Sequence, residues 1–379
     1  AETNYKCGLL FKEKYTVIDE AINELLAETE ACIKGNLACI YDKVIVDPYQ
    51  GGAGTSLNMN INEIIANTAL KNLGKEFGDY SHLHPLDDVN MSQSTNDTFP
   101  TALRIASIYL LRELQDSFAR LQNSLQKKEE EFRNVIKIGR TQYQDAVPIT
   151  LGQEFGAYAQ AISRDRWRLY NDEERLRSVN LGGTAVGNSI ATSREYVLNV
   201  NGILKKITKL PIAKSEDLID ATQNLDVFVE VHGIVKAGAT SIIKTCNDLR
   251  FMSSGPSGGI GEINLPPMQA GSSIMPGKVN PVILENAIQI CELVKGNDVI
   301  ISNLVSAGNL ELNAFMPMIA HTFLKSISML SDSNINLSEK CIDGISANVE
   351  RCRENLINST AIAASLITSF GYETIQELV

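Results

Sequence analysis

The sequence predicts an all-α protein built as a bundle of long helices, and three observations carry that prediction. Leu110, Leu114, Phe118, Leu121 and Leu125 step by four, four, three and four along the chain, which draws one apolar face of a long helix. No proline occurs between Pro148 and Pro211, and within that stretch Phe155, Ile162 and Leu169 recur at sevenfold spacing. Strand signals are scarce, and neither an internal repeat nor a low-complexity segment interrupts the pattern.

The elements follow in order. Residues 11–34 read as a helix, with Val17, Ile18, Ala21, Leu25 and Ala31 interleaved with acids. Val44-Ile45-Val46 is a short extended piece ending at Asp47-Pro48, and the glycine-bearing loop Gln50–Ser56 leads into a helix over 59–73. A polar loop, Asp87 to Pro100, precedes the long helix, which ends in the charged run Lys127–Glu131, read as a solvated face. Gly139–Gln142 is a polar break, and Gly182–Ser189 is a glycine-rich interruption. Phe228, Val231, Val235, Ile242, Cys246 and Leu249 mark another helix, 281 to about 305 a further one, and Ile319, Phe323, Ile327 and Leu330 one more after Pro317. Leu103, Ile105 and Ile108 lie off the Leu110–Leu125 stripe. Either helices of several subunits pack together or a wide apolar face stays exposed on a monomer.

Composition narrows the function classes. With 44% hydrophobic and 21% charged residues the 379-residue chain is globular in kind. A net charge of -11 leaves no basic surplus to neutralise phosphates, so nucleic acid is excluded as a partner, and an anionic substrate needs a locally positive site. No apolar run approaches the roughly 20 residues of a membrane span. Seven cysteines (Cys7, Cys32, Cys39, Cys246, Cys291, Cys341, Cys352), odd in number and never in a CxxC pair, fit reduced and mostly buried thiols in cytosol. His82 and His84 lack a carboxylate at ligand spacing, so no metal site is assigned. The opening Ala1-Glu2-Thr3-Asn4 carries neither an initiator Met nor a signal-peptide pattern, and the chain is read as a fragment or ordered core.

Four polar breaks share a chemistry: 50–56, 92–97, 139–145 and 271–280. They offer uncharged donors (Thr55; Ser94, Thr95, Asn96; Thr141, Gln142; Ser272, Ser273, Asn280) around one central cation, Lys278. That set suits a small polyanion held by many hydrogen bonds with limited neutralisation. Asn280-Pro281 reads as a helix start, where free N–H groups and the helix dipole favour anions. Singly each break is weak, because turns and caps need the same residues; Ser92 and Thr101 could be nothing but caps. Gly51–Ser56 lacks the Gly-Lys-Ser/Thr ending of a phosphate loop, and no Gly-x-Ser-x-Gly elbow or Ser-His-Asp set supports a hydrolase.

The run Gly271-Ser-Ser-Ile-Met-Pro-Gly-Lys-Val-Asn-Pro281 resembles the signature of the aspartase/fumarase superfamily of lyases. The resemblance extends to 46–56, 90–100, 139–155 and 308–317, in the family's order and over essentially the whole chain. It implies an all-α homotetramer whose active sites take loops from three subunits, a dicarboxylate substrate, a cytoplasmic setting and no required cofactor, with divalent-cation activation left open. It also implies three domains: 1–94, lacking its start; 95–350, the central bundle; and 351–379, the start of a truncated C-terminal domain.

The family's reaction is β-elimination from a succinyl skeleton to fumarate through a doubly charged aci-carboxylate. Carried over position by position, Ser272 is the base, acting as an alkoxide. Thr55, Ser94, Thr95 and Ser273 hold the β-carboxylate, Thr141, Lys278 and Asn280 the α-carboxylate, and Asn96 and Gln142 the leaving group, while Glu285 matches the acid that pairs with a histidine in fumarases. Where fumarases read Gly-Arg-Thr-His, this chain reads Gly139-Arg140-Thr141-Gln142. Hydroxide needs a proton donor to leave, which imidazole supplies and an amide does not; ammonia leaves from an ammonium group without one. Gln142, Ser94–Asp97, Asp145–Pro148 and Asp217–Thr222 resemble the aspartase branch, which implies elimination of ammonia from aspartate. Glu311-Leu312-Asn313 through Met316-Pro317 looks nearly as much like fumarase, and Gly187-Asn188-Ser189 departs from the Gly-Thr-Gly usual in both. A fumarate hydratase, another succinyl-skeleton lyase and an inactive structural tetramer stand as the alternatives.

Overall fold

The computed structural model describes residues 1–33 and 40–377, and the side chains of 32, 33, 40 and 41 lie outside that description. The chain divides into two compact units, one of 1–109, 172–231 and 299–324, the other of 110–171, 232–298 and 325–379. In order, the helices are α1 Glu2–Lys6, α2 Lys12–Ile33, α3 Thr55–Asn72, α4 Thr95–Glu131, α5 Leu151–Asp172, α6 Arg194–Thr208, α7 Leu218–Gln223, α8 Asp226–Met252, α9 Val282–Ser306, α10 Met316–Lys340, α11 Val349–Ile357, α12 Ala363–Phe370 and α13 Tyr372–Gln376. Three two-stranded pairs accompany them: β1 Ile136–Thr141 with β2 Gln144–Thr150, β3 Ser178–Val179 with β4 Ala213–Lys214, and β5 Ile263–Asn264 with β6 Ser346–Ala347. Helix dominates, as the apolar periodicity predicts.

In the first unit, α2 packs on α3 through Ile18, Ala21, Ala66, Ala69 and Leu70, and Leu83 and Val89 complete that cluster. Phe228 of α8 meets Phe323 of α10 edge-on at 5.2 Å. In the second unit, Leu114, Phe118, Leu121 and Leu125 of α4 and Phe155, Ile162 and Leu169 of α5 are buried, with Phe132 and Phe155 edge-to-face at 5.3 Å. Ile242, Cys246 and Leu249 of α8 and Ile327 and Leu330 of α10 join the buried set. The thiols of Cys246, Cys291, Cys341 and Cys352 are free and buried, and Cys7 is half-buried; Cys39 and the Cys32 side chain lie outside the described residues.

Several expectations need correction. The long helix begins at Thr95 and runs through Pro100. Proline cannot donate to the carbonyl four residues back, Asn96 O, and Asn180 Nδ2 supplies that bond instead at 3.0 Å. α3 begins at Thr55, four residues earlier than the apolar pattern indicates. The break at 139–145 is the tip of a β-hairpin. Within Lys127–Glu131, Lys128 is buried: its Nζ donates to Ile345 O at 2.8 Å and to Glu131 at 2.7 Å. Of the three apolar residues off the Leu110–Leu125 stripe, Leu103 and Ile108 are buried by this chain alone, and Ile105 is half-buried.

Candidate functional site

The first group of site residues gathers where α3 and α4 begin. Gly54 precedes Thr55 with φ +91°, and a Cβ there would fall 2.3 Å from the Phe99 ring, so only glycine lets the start of α3 approach α4 this closely. Ser94 and Asp97 form a reciprocal capping box: Ser94 Oγ accepts from Asn96 N at 3.2 Å, and Asp97 Oδ1 accepts from Ser94 N at 3.0 Å. Thr95 and Asn96 therefore belong to the first turn of α4 rather than to a loop. Thr95 Oγ1 accepts from Asn58 Nδ2 at 3.0 Å, and Asn96 Nδ2 donates to Ala185 O at 2.8 Å. Thr55, Ser94, Thr95 and Asn96 line one pocket of about 540 Å³, together with Asn58, Asn90 and Thr184.

Asp97 ties this pocket together from beneath. It is fully buried, and its Oδ2 accepts from Gly182 N at 3.1 Å and Thr184 N at 2.9 Å, which fixes the glycine-rich 182–189 segment to the start of α4. Burial pushes its carboxyl up to about 6, against the opposing pull of the Thr184, Ser94 and Gly182 N–H groups. Asn180, 1% exposed, bonds Asn96 O, Thr222 Oγ1 (2.9 Å) and the Thr101 hydroxyl (3.3 Å). Thr101 is thus a buried mid-helix donor and not a cap. Sequence reasoning passed over Asn58, Asp97 and Asn180 as site residues. For Asn58 a signal existed: Thr55, Asn58 and Asn62 follow i, i+3, i+7 along one face of α3, and Asn58 and Asn62 both donate to Asn90 Oδ1.

The second group lies on the β1–β2 hairpin. Its two turn residues, Gln142 and Tyr143, both have positive φ (54° and 62°), as the right-handed twist of a two-residue hairpin requires. Neither is glycine or asparagine, so the turn holds backbone strain of the kind that collects at functional sites. Tyr143 packs edge-on against Phe251 at 4.9 Å, which holds the tip to α8. Thr141 and Gln142 are exposed and line a pocket of about 810 Å³ with Lys137, Glu154, Lys244 and Asp248.

The third group shares the 271–281 loop. Asn280 Nδ2 donates to Gly271 O at 2.6 Å and pinches the loop at its base. A Cβ on Gly271 would lie 1.7 Å from Lys278 O, so the pinch leaves no room for any other residue. Ser272 Oγ accepts from Ile274 N and Met275 N, both at 3.2 Å. Ser273 and Lys278 are exposed, and α9 follows at Val282 as Asn280-Pro281 predicts. Glu285 approaches Arg250 at 3.9 Å. Among the described residues no cluster of three or more His, Cys, Asp or Glu is arranged to hold a metal ion, and no helix is long and apolar enough to cross a membrane.

Each group offers uncharged hydroxyl or amide side chains, and the 271–281 loop adds Lys278 to Ser272 and Ser273. A family described as Lyase matches residues 6–296. Aspartate ammonia-lyase of Bacillus sp is 45% identical over 378 residues, covering 100% of this chain and 79% of that protein. Aspartate ammonia-lyase of Escherichia coli (strain K12) is 44% identical, covering 95% and 75%. Among solved structures, fumarate lyase:delta crystallin from Brucella melitensis superposes with a TM-score of 0.93 at 46% identity, covering 100% of this chain and 80% of that one. Class II fumarase from Schistosoma mansoni gives 0.90 at 30% identity, covering 99% and 80%. The chain belongs to this lyase family, the aspartase/fumarase superfamily, and is aspartase-like within it.

Proposed function

We propose that this chain is a carbon–nitrogen lyase that eliminates ammonia from L-aspartate to give fumarate. The observation that carries the proposal is the environment of Ser272. An unperturbed serine hydroxyl is far too weak an acid to serve as a base near neutral pH, and two backbone N–H groups aimed at its Oγ favour the alkoxide. Lys278, six residues on in the same loop, adds positive charge. Ser272 takes a proton from the carbon next to the β-carboxylate, and the C–H electron pair passes into that carboxylate as the aci-dianion. Thr55, Ser94, Thr95 and Ser273 donate to it, while Thr141, Lys278 and Asn280 hold the α-carboxylate. The C–N bond then breaks, its electrons leave with neutral ammonia, and the double bond of fumarate forms.

Gln142 and Asn96 attend the leaving group. Asn96 commits its Nδ2 to Ala185 O, which leaves its Oδ1, an acceptor suited to an ammonium group. Gln142 stands where the fumarases carry an acidic imidazole, and ammonia needs no such acid. Relatives at 44–45% identity carry the aspartase name, against 30% identity for the class II fumarase. The route uses no cofactor.

The three groups combine, on this reading, across subunits of a cytoplasmic homotetramer. Exposed large apolar side chains on long helices support assembly: Trp167 and Tyr170 of α5 and Leu293, Val299 and Ile300 of α9. The test is the ultraviolet absorbance of fumarate, followed with L-aspartate and separately with L-malate. Aspartate turnover is expected; malate turnover alone identifies a hydratase, and turnover of neither a structural protein. Ser272→Ala should abolish turnover with the assembly intact by sedimentation, and near-wild-type activity would remove Ser272 from the base role.

A further inference from the structure

Glu262 is a carboxylate with no exposed surface, ten residues before Ser272. Both its oxygens accept from Arg140 Nη1, at 2.9 and 3.1 Å, and Oε2 also lies 3.1 Å from Lys137 Nζ. Lys137, 1% exposed, reaches Glu154 as well, at 2.7 Å, while Arg140 Nε lies 3.6 Å from Asp145 and Asn355 Nδ2 approaches Glu262 Oε1 at 3.4 Å. Lys137 and Arg140 are both on β1, three residues apart, and in a regular strand such residues face opposite ways. The register of β1 shifts between Gly139 and Arg140, and this bulge is what lets both cations reach one carboxylate.

The backbone of Glu262 is held as firmly. Its N–H donates to Met252 O at the end of α8, its carbonyl accepts from Asn348 N, both at 2.9 Å, and the next residue opens the β5–β6 pair. From β5 the chain runs directly into the segment that carries Ser272. One buried residue thus joins the strand that ends at Thr141 and leads into Gln142 to the root of the serine loop.

We propose that Glu262 is a positioning residue for the elimination: through Arg140 and Lys137 it fixes the hairpin tip that presents Thr141 and Gln142, and through its backbone it fixes the stem of the Ser272 loop to the same point. The inference rests on the assignment of Thr141 and Gln142 to substrate. The physical ground is that a misplacement of about 1 Å in a substrate-holding group can cost about 100-fold in rate, and without Glu262 the buried Lys137 and half-buried Arg140 are left with the carboxylates of Glu154 and Asp145, which draw them to other positions.

Glu262→Gln keeps the shape and removes the charge. Its KM for L-aspartate should rise about 10- to 100-fold with a smaller fall in kcat, and hydrogen exchange should quicken together in peptides covering 136–150 and 265–281. A merely structural role would lower the melting temperature yet leave KM and kcat of the folded enzyme within twofold of wild type, and that result overturns the proposal. Where Glu262→Gln does not fold, the charge-balanced Lys137→Gln/Glu262→Gln pair is read in the same way. Arg140→Lys keeps every charge and loses the guanidinium contacts to Glu262 and Asp145, and an unchanged KM there overturns the proposal whatever the other variants do. Wild-type enzyme without aspartate turnover refutes the function itself; turnover with variant KM values at the wild-type level refutes only the role of Glu262.

Discussion

Pro100 inside α4 offers a double-mutant cycle whose sign follows from one acceptor. Asn96 O lacks its helical partner because residue 100 has no N–H, and Asn180 Nδ2 replaces that partner at 3.0 Å. Asn180→Ala strands the Asn96 carbonyl and the Thr101 hydroxyl in a buried region where Asn180 itself is 1% exposed. Each buried polar group left without a partner costs about 1–3 kcal/mol, so the single variant should lose about 3 kcal/mol. In a Pro100→Ala background the new N–H of residue 100 reaches Asn96 O along the helix. Asn180→Ala should then cost less, by about 1–2 kcal/mol, the share that belonged to the carbonyl. Urea unfolding of the four proteins at one fixed concentration measures the cycle. Costs that simply add, within about 0.5 kcal/mol, refute the reasoning, because they mean that Asn180 does not stand in for the missing helical bond. Aspartate kinetics provide a second reading: Asn96 is on the same turn, so the single variant should lose activity and the double variant recover part of it.

Two further outcomes are expected. Gly271→Ala should cut turnover more than 100-fold with little change in melting temperature, since its Cβ would collide with Lys278 O at the base of an otherwise exposed loop; activity within tenfold of wild type means that the pinch is dispensable. Asp97 should give stability an acid-side slope: its carboxyl stands at about 6 against an ordinary 3.8, so the folded chain binds the proton more tightly. Its contribution is complete below about pH 4 and is lost as pH rises through about 6, roughly 3 kcal/mol at about 1.4 kcal/mol for each pH unit between those values. Asp97→Asn should remove that slope, and parallel urea midpoints from pH 4 to 7 for variant and wild type would show that another group carries it.

The parts of the fold legible in the sequence are those governed by local period. Leu114, Phe118, Leu121 and Leu125 announce the interior face of α4, and Phe155, Ile162 and Leu169 that of α5, because burial at every third or fourth residue leaves a mark no other constraint erases. The misreadings have distant causes. Pro100 looked like a boundary because its compensation, Asn180, lies 84 residues away from the carbonyl it satisfies. Lys128 looked solvated because its acceptor is the carbonyl of Ile345. The hairpin was invisible because its turn is Gln142-Tyr143 rather than an Asn-Gly pair, and tertiary contact with Phe251 holds it in place of intrinsic preference.

For the candidate site, the residue types were legible and their wiring was not. Wiring decides what each group can offer. Ser94 Oγ accepts the N–H of Asn96, and Thr95 Oγ1 accepts the amide of Asn58. A hydroxyl whose oxygen accepts from one donor still has its own proton to give, and two such groups beside one pocket suit, under the proposed function, a carboxylate on which negative charge grows. Asn96 is wired the opposite way, with its donor taken by Ala185 O and its acceptor left over, which suits a cation. Ser272 resembles the first pair in accepting N–H groups, but it receives two of them, from Ile274 and Met275. Under the proposed function, that support is what favours the alkoxide. Under the proposed function, the same capping geometry that makes serine a helix or turn residue is what would sort these side chains into donors to the β-carboxylate, an acceptor for the ammonium group and a base. A sequence lists only their identities, because the partner that fixes each polarity is a backbone or amide group whose proximity exists only in the fold.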